Sequence, residues 1–482
     1  MTASACAAAY AGTDKPGHGQ AEFERLDSVI SSTLGIEPEL VTADLSYQDI
    51  AEWDSMGHVS LMLALEKAFA TTISHHLVSQ LTSVSSLRAF VAQLSAAGTT
   101  AQTLLRKTEL THQSNTLPSV NRGLVGIYFD WSSITEIDPS GSALRYRGYS
   151  IDDLVSRASY EETTFLLIEG RLPGRSELAS FSDALRLYRS LPAPIGALLQ
   201  SMSTARPFHA MQAALAALSA FAEDDESADI SVIARSPTLI GAFHRLRCNA
   251  VPLSPRDDLG HAANLLYMLR GEVPEPLEEE VLDKTFILLA DHSSSASTFT
   301  ARIAASTNAD RHAALSSAIA AFSGPLHGGA VNEVIAMAEQ IGSPDRAAAF
   351  VRDRLDRNEV VYGFGHRIYR AADPRARLLR GAARRLCEAR GDTRILEILE
   401  AVAASLTDYS RLGLDINVDF YASAVFEALR IPRDLFGPVF VAARMAGLVA
   451  HIREQRSNNT LIRPQLLYVG PAARAYEQGV TQ

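Results

Sequence analysis

Between Tyr160 and Gln455 apolar residues return every three or four positions through one segment after another, and this pattern restricts the fold more than any other property of the chain. Such spacing lines apolar side chains along one face of an α-helix. Helices are predicted at 160–169, 177–191, 210–222, 258–269, 278–289, 314–322, 331–341, 348–356, 395–406, 421–429 and 438–455. Glycine and proline separate them at Leu172-Pro173-Gly174, across 192–196 and at Gly324-Pro325. No repeat of fixed period runs through them, so a solenoid is excluded. Ahead of these helices, GLVGIYFDWSSITEIDPSGSALRYRGYSIDDLV alternates β-type residues around turn signals at Asp138-Pro139 and Ser140-Gly141, which predicts a short strand pair. The fold class is all-α.

A length of 482 residues allows two or three domains, and 47% hydrophobic with 21% charged residues is a globular balance. Three cysteines, Cys6, Cys248 and Cys387, lie far apart without CxxC spacing, against both a disulfide framework and a zinc site. A reducing, cytoplasmic setting fits. Residues 1–19 lack the basic start and apolar run of a secretory signal and read as an unstructured lead. No segment approaches the roughly 18 unbroken apolar residues of a membrane span. The net charge of −11 argues against general nucleic-acid binding.

That charge is concentrated. From Gln20 to Leu94 ten acidic residues face three basic ones, so more than half of the excess lies in the first fifth of the chain. Residues 20–98 read as a small helical bundle. Phe23, Leu26, Val29, Ile30 and Leu34 are spaced for one helix ending at Gly35; Val59, Met62, Leu63 and Phe69 for a second; Leu87, Phe90, Val91 and Leu94 for a last one from about Ser83. Ser55 follows Asp54 at the start of the second helix, where a phosphate on its hydroxyl would meet open N–H groups. An ordinary N-cap serine is the plainer reading of that position. Residues 99–119, rich in Thr, Ser and Gln, have little to bury and read as a tether to a large domain spanning 120–482.

In the large domain the stretch VYGFGHRIYRAADPR, from Val361 to Arg375, sets His366 on a glycine turn; Asp373 and Pro374 then read as helix cap and first helical residue, with Arg375 in the first turn. An arginine beside free backbone N–H groups makes a receptor for a carboxylate or phosphate. Such a turn can equally be structural. His292 follows Asp291 after an apolar helix, where a core histidine is the default. His327 stands in SGPLHGGAV just before a helix, able as a neutral ring to donate to a developing oxyanion. Asp419, in NVDFY, begins a helix, where an N-cap role is the plain alternative. Arg444 interrupts the apolar run of GPVFVAARMAGLVAH and needs a carboxylate partner from the protein or a substrate. Arg463, in LIRPQ, is a further candidate anion contact.

Two resemblances organise these residues. The run EWDSMGHVSLMLALEKAF resembles the acyl carrier protein family, which implies covalent 4′-phosphopantetheine on Ser55, with a phosphopantetheinyl transferase and an acyl-loading enzyme as partners. The ordered set ADHxxxAST, GPLHGGA, GFGHRxYxxxDPR, NVDFY, FxxARxxGxxAH and RPxxxYxG resembles the citrate synthase family over essentially all of 120–470. That resemblance implies an all-α homodimer with a small mobile subdomain at about 327–431. It also implies a coenzyme A thioester substrate and no metal. Asp419 would remove the α-proton of an acyl thioester, His327 would bond its oxygen, and His366 would protonate the ketone of a 2-oxoacid acceptor. His292, Arg375, Arg444 and Arg463 would bind that acceptor, Arg463 in the neighbouring subunit's site, and Arg370 would contact coenzyme A phosphates.

The sequence departs from the family pattern at Ser293, Ser294 and Ser295, where Glu, a variable residue and Asn are usual, at Val331 in place of Asn, and in YFDWSSITEID. These changes leave the acceptor's identity open. The reading reached from sequence is a carrier-fused, citrate synthase-like enzyme that condenses an acyl thioester held on Ser55 with oxaloacetate or a related 2-oxoacid and then hydrolyses the thioester. An ordinary coenzyme A-dependent citrate or 2-methylcitrate synthase is the alternative, and a non-catalytic carrier scaffold a third.

Overall fold

The structure, a computed structural model, describes residues 18–73, 75–78, 80–95, 121–124, 126–138, 140, 143–221, 225–357, 359–366, 368–369, 372–471 and 473–474. The tether at 99–119 and all of the lead except His18 and Gly19, which open the first helix, lie outside them. The chain forms two compact units. One comprises the described residues up to Gly126 with Arg354–Val360 and Arg411–Leu414; the other comprises Ile127–Asp353, Val361–Ser410 and Asp415–Gln482.

The first unit holds α1 (His18–Leu34), α2 (Ser55–Phe69), α3 (His75–Val78) and α4 (Val84–Ser95). Gly35, at φ +66°, stops α1 where the sequence places the stop. Leu26, Ile30, Trp53, Met62, Leu87 and Val91 are fully buried between the helices. Leu63 and Phe69 are only half-buried, and Leu61 and Leu65 take the core positions instead. Asp54, rather than Ser55, caps α2: its Oδ1 accepts from the N–H groups of Met56 at 2.9 Å and Gly57 at 2.8 Å. Ser55 is therefore the first helical residue, and its side chain lies outside the described residues. The Trp53 indole donates to His58 Nδ1 at 3.1 Å, so the ring hydrogen is on Nε2, which donates to the Val78 carbonyl at 3.2 Å.

The second unit opens on a three-stranded antiparallel sheet, β1 (Thr135–Ile137), β2 (Leu144–Tyr146) and β3 (Tyr149–Ser150). The expected pair gains its third strand because Arg147 and Gly148 both take positive φ, the geometry of a tight hairpin. Helices follow: α5 (Ile151–Arg157), α6 (Tyr160–Glu169), α7 (Arg175–Tyr188), α8 (Ala193–Ser201), α9 (Pro207–Ala217), α10 (Asp225–Arg247), α11 (His261–Arg270), α12 (Pro276–Leu289), α13 (Ala296–Ser306), α14 (Arg311–Phe322), α15 (Ala330–Ile341), α16 (Ala347–Asp356), α17 (Pro374–Arg390), α18 (Arg394–Ser405), α19 (Val418–Ala428) and α20 (Phe436–Ser457). The fold is mostly helical, as the periodicity predicts.

Four of these helices were not separable by periodicity. α5 follows β3 directly and falls inside the stretch read as strand. Pro192 opens α8 as its N-cap instead of breaking the chain. α10 contains Pro237 and buries neighbours on several faces, among them Val232, Ile233 and Ala234, so no stripe stands out. α13 is built from small and hydroxylic residues after the Ser295 cap.

The core centres on α20, which packs against α6, α9, α10, α12, α13, α14 and α15. The helical stretch Arg433–Ser457 is long and apolar enough to cross a membrane, contrary to the sequence expectation. Its most apolar stretch is completely buried in the protein, as in the central helix of a globular core. α19 packs against α15, α17 and α18, and brings its N-terminus to the loop ahead of α17.

Candidate active site

The turn that carries His366 is held by the chain entering α19. Gly363 and Gly365 take φ of +86° and +83°. Gly365 N–H donates to the Asp415 carbonyl, Asn417 N–H donates to the Gly363 carbonyl, and Phe364 bridges Ile416. Gly363 is required on both conformational and steric grounds, since a Cβ there would lie 2.4 Å from Cδ2 of Phe420. His366 Nδ1 accepts from the N–H groups of Ile368 at 3.0 Å and Tyr369 at 3.1 Å. Backbone N–H groups only donate, so the neutral ring carries its hydrogen on Nε2, 4.0 Å from Asp373 Oδ2. Burial pushes this imidazole down to about 4; Asp373 opposes the shift and Arg375 adds to it.

Asp373 caps α17 as predicted, accepting from Arg375 N–H at 3.0 Å. Its oxygens also take Arg375 Nε at 3.0 Å and Nη2 at 2.6 Å. Arg375 is 1% exposed, and its Nη1 is buried without a partner among the described residues. Arg444 is 2% exposed; Nε donates to the Leu289 carbonyl at 2.6 Å, and the guanidinium lies over the Phe440 ring. Among the described residues no carboxylate reaches it within ion-pair distance. Two buried guanidinium groups, with donors unspent among the described residues, can hold anionic groups.

Asn417 caps α19 by accepting from Asp419 N–H at 3.0 Å, which corrects the N-cap reading of Asp419. Its carboxylate accepts no hydrogen bond among the described residues. Burial raises it to about 6, with Arg375 lowering it, Asp373 raising it and Arg444 lowering it. A half-buried carboxylate held there has the chemistry to act as a general base.

His292 lies across from this group, its ring centroid 5.2 Å from that of His366 and its Nε2 3.3 Å from the Tyr369 hydroxyl. Burial, reinforced by Arg375, His366 and Arg444, keeps it well below the ordinary histidine range. Its loop is clamped by α20: Arg444 Nε takes the Leu289 carbonyl, Gly447 N–H the Ala290 carbonyl at 3.1 Å, and His451 Nε2 donates to Asp291 Oδ2 at 3.3 Å. Arg302 donates to His451 Nδ1 at 3.0 Å, which fixes that tautomer. On the other side Thr135 donates to Asp291 Oδ2 at 2.5 Å and Tyr146 donates to the Asp291 carbonyl at 2.9 Å. Burial alone would raise the Asp291 carboxyl, but His451 and Arg444 hold it at about 2. Sequence reasoning missed this clamp, although Gly447 and His451 stand inside one of its motifs.

His327 precedes α15 and touches the same loop region through α13. Ser297 Oγ is 2.9 Å from its Nε2, and Ser297 N–H also donates to that atom, which leaves the ring hydrogen on Nδ1. Its ring packs on Phe322 at 4.6 Å. The serine run is largely structural: Ser293 takes φ +49° and donates its N–H to Asp291 Oδ2, and Ser295 caps α13.

The structure thus gathers His292, His366, Arg375, Arg444 and Asp419 and ties His327 to their rim through Ser297. Arg463 is exposed beyond the end of α20. Arg370 lies outside the described residues, and Ser55 belongs to the other unit. His292, His366 and Asp373 offer ligand atoms within 4.8 Å of one another. Both Asp373 oxygens are already bound to Arg375, however, and two guanidinium charges oppose a cation there.

The profile of the family described as citrate synthase, C-terminal domain, matches residues 123–465. Citrate synthase 2 of Bacillus subtilis (strain 168) is 40% identical over 364 residues, covering 73% of this chain and 96% of the relative. The citrate/2-methylcitrate synthase of the same organism is 35% identical over 359 residues, covering 72% and 96%. Among solved structures, the ternary complex of carboxymethyl coenzyme A and oxaloacetate with citrate synthase from Thermoplasma acidophilum superposes with a TM-score of 0.71 at 27% identity, covering 74% of this chain and 98% of that one. With the family profile spanning residues 123–465 and a relative 40% identical over 96% of its own length, the chain belongs to the citrate synthase family.

Proposed function

We propose that the protein condenses an acyl-coenzyme A with oxaloacetate or a close 2-oxoacid and hydrolyses the resulting thioester, releasing citrate or a 2-alkylcitrate and coenzyme A. The observation that carries this reading is the uncommitted Asp419 carboxylate beside two guanidinium groups with unspent donors. Asp419 takes a proton from the α-carbon of the thioester, and His327 Nδ1–H stabilises the oxygen of the enol so formed. The nucleophilic carbon attacks the acceptor ketone, whose oxygen receives the proton from His366 Nε2. Arg375 Nη1 and Arg444 hold the acceptor's carboxylates, with His292 alongside. Water then cleaves the carbon–sulfur bond and coenzyme A leaves as the thiol. By resemblance, Arg370 contacts coenzyme A, Arg463 completes the site of a second subunit, and the subdomain at about 327–431 closes over the substrates. Both citrate and 2-methylcitrate synthases occur among the relatives, so acetyl and propionyl donors are the first to test. Release of free thiol with oxaloacetate and either donor supports the reading; no turnover by the full chain with either overturns it.

A second reading concerns the small unit. The capped start of α2, with Ser55 as its first helical residue, supports a carrier role in which phosphopantetheinyl-Ser55 presents the acyl group. Incubation with a phosphopantetheinyl transferase followed by mass spectrometry tests it. A mass gain absent from Ser55→Ala supports the carrier, and no gain removes it without touching the coenzyme A-dependent reaction.

A further inference from the structure

We propose that Tyr369 is a positioning residue that sets the hydrogen of both histidines facing the acceptor, His366 through its backbone and His292 through its hydroxyl. The inference rests on the synthase reading for its consequence, though not for its geometry. Tyr369 is 2% exposed, with its ring 4.6 Å from that of His366 and 5.5 Å from that of His292. Its N–H donates to His366 Nδ1 at 3.1 Å, together with that of Ile368. Its hydroxyl lies 3.3 Å from His292 Nε2 and has no other acceptor among the described residues. A buried hydroxyl must place its hydrogen, so it donates to Nε2. A neutral His292 then carries its own hydrogen on Nδ1.

That assignment decides what His292 can do. Nδ1–H has no protein acceptor among the described residues, and the ring feels the charges of Arg444 and of Arg375, whose Nη1 is buried without a partner among the described residues. The matching partner is an oxygen of the 2-oxoacid. If the ring turned its lone pair there instead, acceptor oxygen would meet nitrogen lone pair, and the contact would be repulsive. Phenylalanine would fill the same space, so packing alone does not explain the hydroxyl.

The test uses the full chain labelled with ¹⁵N-histidine, with His292→Gln and His366→Gln to assign the ring signals. In the wild type we expect hydrogen on Nδ1 of His292 and on Nε2 of His366. Tyr369→Phe keeps its backbone N–H, so the His366 pattern should persist while His292 becomes a tautomer mixture. The KM for oxaloacetate should rise about tenfold, the loss expected for one buried hydrogen bond, with the KM for the acyl-coenzyme A within about twofold. A purely structural tyrosine would not split the two histidines in this way. Hydrogen on Nε2 of His292 in the wild type overturns the proposal even if the variant fails to fold, as does an unaltered His292 pattern and KM in a folded variant. Wild-type protein with the expected tautomers but no condensation activity would leave the hydrogen assignment standing and reject the synthase reading.

Discussion

Replacing Asp419 with Asn should do two opposite things, and the structure supplies the size of each. The folded protein raises this carboxyl from an ordinary 3.8 to about 6, chiefly by burial, with Arg375 pulling it down, Asp373 pushing it up and Arg444 pulling it down. Between those two values the folded state holds more protons than the unfolded chain, so this group's contribution to stability falls as pH rises through that window. Above pH 6 the difference is fully expressed, and about two pKa units correspond to about 3 kcal/mol of destabilisation by the wild-type carboxylate. Asp419→Asn removes the charge and keeps the shape. Urea unfolding followed by circular dichroism should show the variant about 3 kcal/mol more stable at pH 8, with the gain gone below pH 4. Condensation activity should meanwhile drop by about 10²–10⁴-fold, as for loss of a general base. The wild-type rate should fall on the acid side near pH 6, since Asp419 acts as the base only when ionised. A variant no more stable than wild type at pH 8, or one whose gain does not change with pH, would refute the claim that the site holds this carboxylate at a cost.

Three further substitutions probe the surroundings. Arg375→Leu should raise the KM for oxaloacetate by about 10–150-fold, the range for a lost charge-assisted hydrogen bond, with a much smaller effect on the acyl donor, as steady-state kinetics would show. Ser297→Ala removes the hydroxyl contact to Nε2 of His327, keeping only the backbone N–H there, and should lower kcat by up to about tenfold while leaving the KM for oxaloacetate within about twofold. Gly363→Ala places a methyl 2.4 Å from Phe420 at φ +86° and should cost about 2–4 kcal/mol of stability in denaturant titration, with activity lost along with the turn.

What could be read in advance follows from how local each determinant is. The His366 turn and the start of α17 are fixed by neighbours within a few residues, two glycines, an aspartate cap and a proline, and these are visible in the string. Asp419 was placed on the right helix but one cap off, because Asn417 two residues earlier competes for the same role. The clamp on His292 was invisible for a different reason: Thr135, Tyr146, Arg302 and His451 reach Asp291 or its partner from distant parts of the chain, and no periodicity encodes such contacts. α10 and α13 escaped because burial on several faces, or a run of small residues, erases the amphipathic stripe. Ser55 was singled out by resemblance, and the local chemistry reassigned only its cap, to Asp54.

α20 has one more implication. Arg444, Gly447 and His451 stand at intervals of three and four, about one turn apart on a single face, and each engages the next residue of one loop: Leu289, then Ala290, then Asp291. The helix therefore indexes that loop residue by residue, and a Cβ at Gly447 would strike Ala290 O and Asp291 Oδ1 at 2.4 Å. One wall of the cleft is consequently cut from the same rigid material as the hydrophobic centre and cannot be retuned without disturbing it. New substrate preferences in such a protein must arise from side chains outside this helix and the loop it indexes.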